Sequence, residues 1–131
     1  MNDAARPGAA LILFAHGARD PRWAEPFLAI AERVRLADPA RPVELAFLEL
    51  MAPDLGEAAR RLAAGGAGRI DVVPLFLGMG GHLRNDLPPL VEAVRAALPA
   101  VEVRLHPAIG ENEAVIAVVA SAALAAARFG E

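Results

Sequence analysis

The chain contains three histidines, and each follows a short stretch that reads as a strand. His16 follows residues 10–15. His82 follows residues 70–75 and a glycine-rich loop. His106 follows residues 101–105. A fourth run, residues 42–48, ends at Glu49. Imidazole and carboxylate are ligands for borderline divalent ions such as Co, Ni, Fe or Zn. A neutral imidazole, with a reference pKa of ~6.5, also accepts protons near neutral pH. Two or three histidines with one glutamate can therefore hold a metal, take protons, or do both. No spacing here matches a dedicated metal motif such as His-Glu-x-x-His, so the chemistry depends on the fold bringing these residues together. Arg19, Arg22 and Arg84 follow the His16 and His82 turns and would suit a substrate carrying several carboxylates. The plainer reading of these arginines is three solvated loop residues.

Such residues need a scaffold, and the hydrophobic pattern supplies one. The runs 10–15 and 70–75 are short, nearly all apolar and bounded by turn residues, as buried strands are, and 42–48 and 101–105 are the other two strand candidates. Between them lie helical stretches. Asp20-Pro21 starts the first, with Trp23, Phe27, Ile30 and Val34 on one face and Pro26 delaying its regular part. Pro53 opens the second, with Leu55 and Leu62 facing inward and glycines 65, 66 and 68 ending it. Asn85 or Asp86 caps the third, which places Pro88 and Pro89 in its first turn. The fourth begins at Glu113. The order βαβαβαβα predicts an α/β fold with a flavodoxin-like, doubly wound, parallel four-stranded sheet. In such sheets ligands bind beyond the carboxyl ends of the strands. All three histidines and Glu49 fall at that edge. Residues 1–8 read as an N-terminal tail and 9–131 as a single domain. Residues 114–127 carry no charge, and a helix apolar on every side must be covered on every side. A subunit interface is the expected cover; alanine-rich composition is the alternative.

Composition narrows the options. The 131 residues are 56% hydrophobic, which excludes a disordered chain. A net charge of −3 and 5% aromatic residues argue against nucleic acid as a partner. There is no cysteine, so disulfides, thiolate metal sites and thiol nucleophiles are excluded. All 13 basic residues are arginine, which excludes Schiff-base and P-loop lysine chemistry. One serine and no threonine disfavour a flavin or nucleotide loop. The segment Phe76-Leu77-Gly78-Met79-Gly80-Gly81 is too apolar to cradle phosphate, but its bare backbone suits the face of a large flat ring. The uncharged stretch 114–127 would span only ~21 Å as a helix, short of a ~30 Å bilayer core. A soluble, cytoplasmic protein without a membrane partner is expected.

Four segments carry a resemblance: His16-Gly-Ala-Arg-Asp-Pro21, Glu49-Leu-Met-Ala-Pro53, Val73-Pro-Leu-Phe-Leu-Gly78 with Gly81-His82, and His106-Pro-Ala-Ile-Gly-Glu111. In order along nearly the whole chain, they resemble the sirohydrochlorin cobaltochelatases, the small single-domain forms of the class II tetrapyrrole chelatases. The family more often has Ser where Ala18 stands. The resemblance implies a chelatase-like fold related to flavodoxin and a homodimer. It implies insertion of a divalent metal, Co²⁺ first and Ni²⁺ or Fe²⁺ in related members, into sirohydrochlorin on the route to cobalamin. The metal would be a substrate, with no permanently bound cofactor. His16 would be base and metal ligand, and His82 the second catalytic residue and ligand. Glu49 and the loop Phe76, Leu77, Gly78, Met79, Gly80 and Gly81 would contact the ring, with Arg19 and Arg84 holding carboxylates. His106 would be mainly structural. Two alternatives use the same site: a siroheme ferrochelatase or nickel chelatase, and a non-catalytic carrier of metal or tetrapyrrole. A regulatory flavodoxin-like module is a third, disfavoured because no phospho-acceptor Asp ends a strand.

Overall fold

The computed structural model describes residues 8–130. The expected N-terminal tail therefore lies outside the described residues, Gly8 excepted. Four strands form one all-parallel sheet: β1 (Ala9–Ala15), β2 (Val43–Phe47), β3 (Arg69–Pro74) and β4 (Glu102–Leu105), in the order β2-β1-β3-β4. Four helices alternate with them: α1 (Glu25–Ala37), α2 (Leu55–Ala64), α3 (Gly81–Ala97) and α4 (Glu113–Arg128). This is the doubly wound order that the pattern predicts, with the reversal of strand order between β1 and β3.

Strand alternation divides the core in two. Ala10, Ile12 and Phe14 of β1, with Ile70 and Val72 of β3 and Val103 of β4, face α2 and α3. Leu13 and Ala15 of β1, with Val43, Leu45 and Phe47 of β2, face α1. Ile12, Phe14 and Ile70 are fully buried, as expected for central strands covered on both sides. Arginine ties helices to strands: Arg35 donates to the Val43 carbonyl at 2.9 Å, and Arg95 donates twice to the Val103 carbonyl at 3.1 and 2.8 Å.

Local chemistry sets the helix starts. Asp20 caps a short 3-10 turn, Pro21–Ala24, and α1 begins after it with Pro26 in its first turn. That is the delay Pro26 implies. Trp23, Phe27 and Val34 pack against the sheet, but Ile30 is 40% exposed and Ala31 takes the buried position. Helix α2 opens after Asp54 rather than at Pro53, because Asp54 and Glu57 form a capping box, with the Asp54 carboxylate accepting from the Glu57 amide at 2.8 Å.

One expectation fails. Helix α3 begins at Gly81, not after Asn85 or Asp86, and Pro88 and Pro89 lie inside it. Each proline removes one backbone bond, to Arg84 and to Asn85. All four residues are exposed, so water can satisfy the freed carbonyls. Burial of Leu87, Val91 and Val94 against the sheet carries the helix through. Within the single chain no residue of helix α4 is buried.

Candidate functional site

The carboxyl edge of the sheet gathers His16, Glu49 and Phe76. His16 directly follows β1, and Glu49 lies two residues after β2. Parallel pairing continues past both strands: the Leu48 amide donates to the Ala15 carbonyl at 2.9 Å and the Glu49 amide to the His16 carbonyl at 3.1 Å. This places His16 Nε2 3.4 Å from Glu49 Oε1, with both side chains about half exposed. The Phe76 ring lies edge-on beneath, its centroid 6.1 Å from that of His16. Phe76 itself is anchored on buried Phe14, with centroids 6.2 Å apart. The imidazole thus stands on an apolar floor that fixes its orientation, next to a carboxylate that can hold a proton or a cation.

Gly17 makes this approach possible. Its φ is +97°, a region that favours glycine, and a Cβ there would stand 1.8 Å from the Glu49 carbonyl oxygen. That same carbonyl accepts from the Met51 amide at 2.8 Å. The resulting three-residue turn holds Leu50 at φ +64°, a strained conformation for a side chain of its size. Leu50 is 59% exposed and Leu77, beside Phe76, is 71% exposed. Two large apolar side chains therefore stand in water on the segments that carry Glu49 and Phe76.

The other predicted residues are arranged differently. His82 lies in the first turn of α3 rather than in the loop before it, and its Nε2 is 3.0 Å from Asp86 Oδ2, one turn on. Its side chain is 92% exposed. Among the described residues no three His, Asp or Glu side chains converge closely enough to hold a metal ion. The structure thus presents two pairs, His16–Glu49 and His82–Asp86, not one closed ligand set. Arg84 donates to the Met79 carbonyl at 3.1 Å, bracing the loop 76–81 rather than standing free. Arg22 is occupied by Asp20 at 2.7 Å. Arg19 is exposed. Gly78, Gly80 and Gly81 are exposed with open space where a Cβ would be, and Met79 is half-buried.

His106 belongs to another group. Its Nε2 is 2.7 Å from Oδ1 of buried Asp71, whose Oδ2 accepts from Arg69 Nε at 3.0 Å. Burial pushes the Asp71 carboxyl up. The hydrogen bonds from His106 and Arg69 and the Arg69 charge together outweigh burial, and hold it below the usual carboxylate range. His106 is thus tied to a buried carboxylate on the α1 face of the sheet, in keeping with a structural role. A cavity of about 300 Å³ lies between α2 and α3, lined by Phe14, Leu55, Leu90 and Val94 with Asp54 and Arg60. None of the predicted site residues lines it.

Sequence reasoning missed three partners: Asp86, Asp71 and Gly17. The His82–Asp86 spacing of four would have revealed the first, had α3 been started at Gly81. The other two depend on strand register and leave no local signal.

The CbiX family matches residues 10–126. The chain belongs to the CbiX family. It is 37% identical over 82 residues to the sirohydrochlorin cobaltochelatase of Methanopyrus kandleri, over 63% of this chain and 57% of that protein. It is 40% identical over 81 residues to that of Saccharolobus solfataricus, over 62% of each. The matched stretches thus span less than two-thirds of these curated relatives. Among solved structures, a CbiX protein from Marinobacter aquaeolei VT8 superposes with a TM-score of 0.83 at 32% identity, over 93% of this chain and 99% of that one. The sirohydrochlorin chelatase SirB of Bacillus subtilis subspecies spizizenii, in complex with cobalt, superposes with a TM-score of 0.75 at 26% identity. There the match covers 86% of this chain but 48% of the SirB chain. This CbiX chain therefore has the α/β fold of these chelatase structures.

Proposed function

We propose that this CbiX chain inserts a divalent metal ion, Co²⁺ first, into sirohydrochlorin. The carrying observation is His16 held 3.4 Å from Glu49 over the Phe76 ring. Insertion must remove two pyrrole N–H protons while the metal trades water for ring nitrogens. His16 binds the ion through a ring nitrogen or accepts one proton, and Glu49 and solvent water take the protons that His16 does not. His82 with Asp86 offers a second cation-binding pair. Leu50, Leu77 and the bare backbone of 78–81 support one face of the ring, and Arg19 meets a ring carboxylate. Arg84 acts through the loop it braces. Two solvent-accessible pairs, one half exposed and one at the surface, suit an ion in transit, which binds as substrate and leaves in the product. No helix among the described residues is long and apolar enough to cross a membrane. In this reading residues 9–131 work as one cytoplasmic domain paired in a homodimer.

The test is anaerobic insertion followed by the absorbance change of sirohydrochlorin with Co²⁺, Ni²⁺ or Fe²⁺. Many turnovers per chain, fastest with Co²⁺, are expected. Ring binding with no rate above the uncatalysed reaction would make the chain a carrier, and a faster Ni²⁺ or Fe²⁺ reaction would change the metal.

A further inference from the structure

The segment His106–Glu111 supplies no member of the His16–Glu49 and His82–Asp86 pairs, yet it is fixed along its length. At its start the His106 amide donates to the Val72 carbonyl at 2.9 Å, and the ring Nε2 lies 2.7 Å from Asp71. Ala108 is buried in the same core cluster as Phe76. At its end Ile109–Glu111 forms a 3-10 turn. The Glu111 carboxylate accepts from the Ala108 amide at 3.2 Å, and the Glu111 amide donates to the Ala108 carbonyl at 2.9 Å.

This turn is seated against the loop 76–81. The Gly110 amide donates to the Phe76 carbonyl at 2.9 Å. A Cβ on Gly110 would stand 1.8 Å from the Leu77 carbonyl oxygen and 2.4 Å from the Leu77 carbonyl carbon. The turn itself does not require glycine, because Gly110 is not among the residues with positive φ and a 3-10 turn suits any side chain. Glycine also loses more chain entropy on folding than alanine would. What requires it is the close passage of the Leu77 backbone.

Phe76 and Leu77 begin the loop that carries the His16 floor and a mostly exposed leucine. Further on, the loop is held by Arg84, which donates to the Met79 carbonyl at 3.1 Å. Gly78, Gly80 and Gly81 have nothing within 4 Å of a Cβ, and glycine sets no preferred path of its own. The two anchors must therefore set the path. We infer that Gly110 is a positioning residue for the tetrapyrrole: its bare Cα lets the 109–111 turn seat on Phe76 and Leu77, which fixes how far residues 77–81 stand from the sheet edge. The inference rests on the proposed contact between this loop and the ring face. His16 and Glu49 are set separately, through the amides of Leu48 and Glu49, and the Phe76 ring is anchored on Phe14. Moving the loop should therefore weaken ring binding more than it slows insertion into a bound ring.

The test is Gly110→Ala in the full chain. The amide bond to Phe76 is chemically retained, but ordinary contact begins at 3.4 Å, so turn and loop must separate by about 1.6 Å. Metal-free sirohydrochlorin is titrated by its absorbance, insertion kinetics give KM and kcat, and backbone NMR follows the amides of residues 77–81. Ring affinity should fall at least about tenfold and KM should rise with it, while kcat stays within about threefold. The amides of 77–81 should shift. Glu111→Ala removes the cap of the same turn without adding an atom, and should weaken ring binding by about threefold; it decides the matter if Gly110→Ala does not fold. Leu62→Ala, buried in α2, should lower Tm and leave ring affinity unchanged. Wild-type ring affinity in a folded Gly110→Ala protein would overturn the inference. So would a fall in kcat at constant KM, unmoved 77–81 amides, or an equal loss of affinity in Leu62→Ala. A wild-type chain that binds no ring would instead remove the proposed activity, and the amide shifts would still decide whether Gly110 sets the loop.

Discussion

Replacing Gly17 with alanine should damage the His16–Glu49 pair through the backbone alone. The new Cβ would stand 1.8 Å from the Glu49 carbonyl oxygen, where ordinary contact begins at 3.4 Å, so one segment must recede by about 1.6 Å. Neither side can rotate away, since both are backbone. A displacement of about 1 Å at a reacting group costs roughly 100-fold in rate, and the insertion rate of Gly17→Ala should fall at least that far. Stability should fall by about 2–4 kcal/mol, from the positive φ and the overlap together. That corresponds to roughly 10 °C in Tm for a domain of this size. Gly66→Ala is the control: its φ is +102° but nothing lies within 4 Å of a Cβ there. It should lose only about 1–2 kcal/mol and keep its rate. The assay is anaerobic insertion with thermal unfolding on the same samples. A folded Gly17→Ala protein with the wild-type rate would refute the idea that this contact sets the catalytic geometry.

Other expectations follow from single contacts. Asp71→Asn should cost about 1–3 kcal/mol at neutral pH in denaturant unfolding. Because the folded carboxyl titrates below its ordinary value, its contribution is full above about pH 4 and fades as pH falls through the lower folded value. The gap to wild type should therefore narrow in acid, and a constant gap would contradict the charged network. Leu50→Gly removes the strain at φ +64° while adding chain entropy, so stability should stay within about 1 kcal/mol while ring binding weakens. A larger loss would contradict the strained turn. His82→Ala removes an exposed ion pair worth about 0.5 kcal/mol or less, yet should slow insertion by about 100-fold if His82 handles metal or protons. An unchanged rate would remove His82 from the site.

Much of this was legible in the sequence because the signals were strong. Four short strand-like runs of five to seven residues, three of them followed directly by His or Glu, marked the strands and the edge where His16 and Glu49 meet. Pro26 announced the late start of α1. The start of α3 was misread because Pro88 and Pro89 have a low helix propensity, whereas burial of Leu87, Val91 and Val94 overrides it. That one misreading also hid the His82–Asp86 pair. The Gly17–Glu49 approach and the Asp71–His106 contact arise from strand register across 32 and 35 residues of chain, which composition and local spacing do not encode. α4 was legible as a helix apolar all round. What covers it was not, because local hydropathy does not name a partner surface.

The central claim is that His16, beside Glu49, carries metal insertion. The direct measurement is the anaerobic insertion rate of Co²⁺ into sirohydrochlorin by wild type and His16→Ala, with ring affinity measured in parallel. Wild type should turn over many times. His16→Ala should bind the ring with similar affinity and lose at least about 100-fold in rate. A His16→Ala protein that inserts cobalt at the wild-type rate would contradict the account.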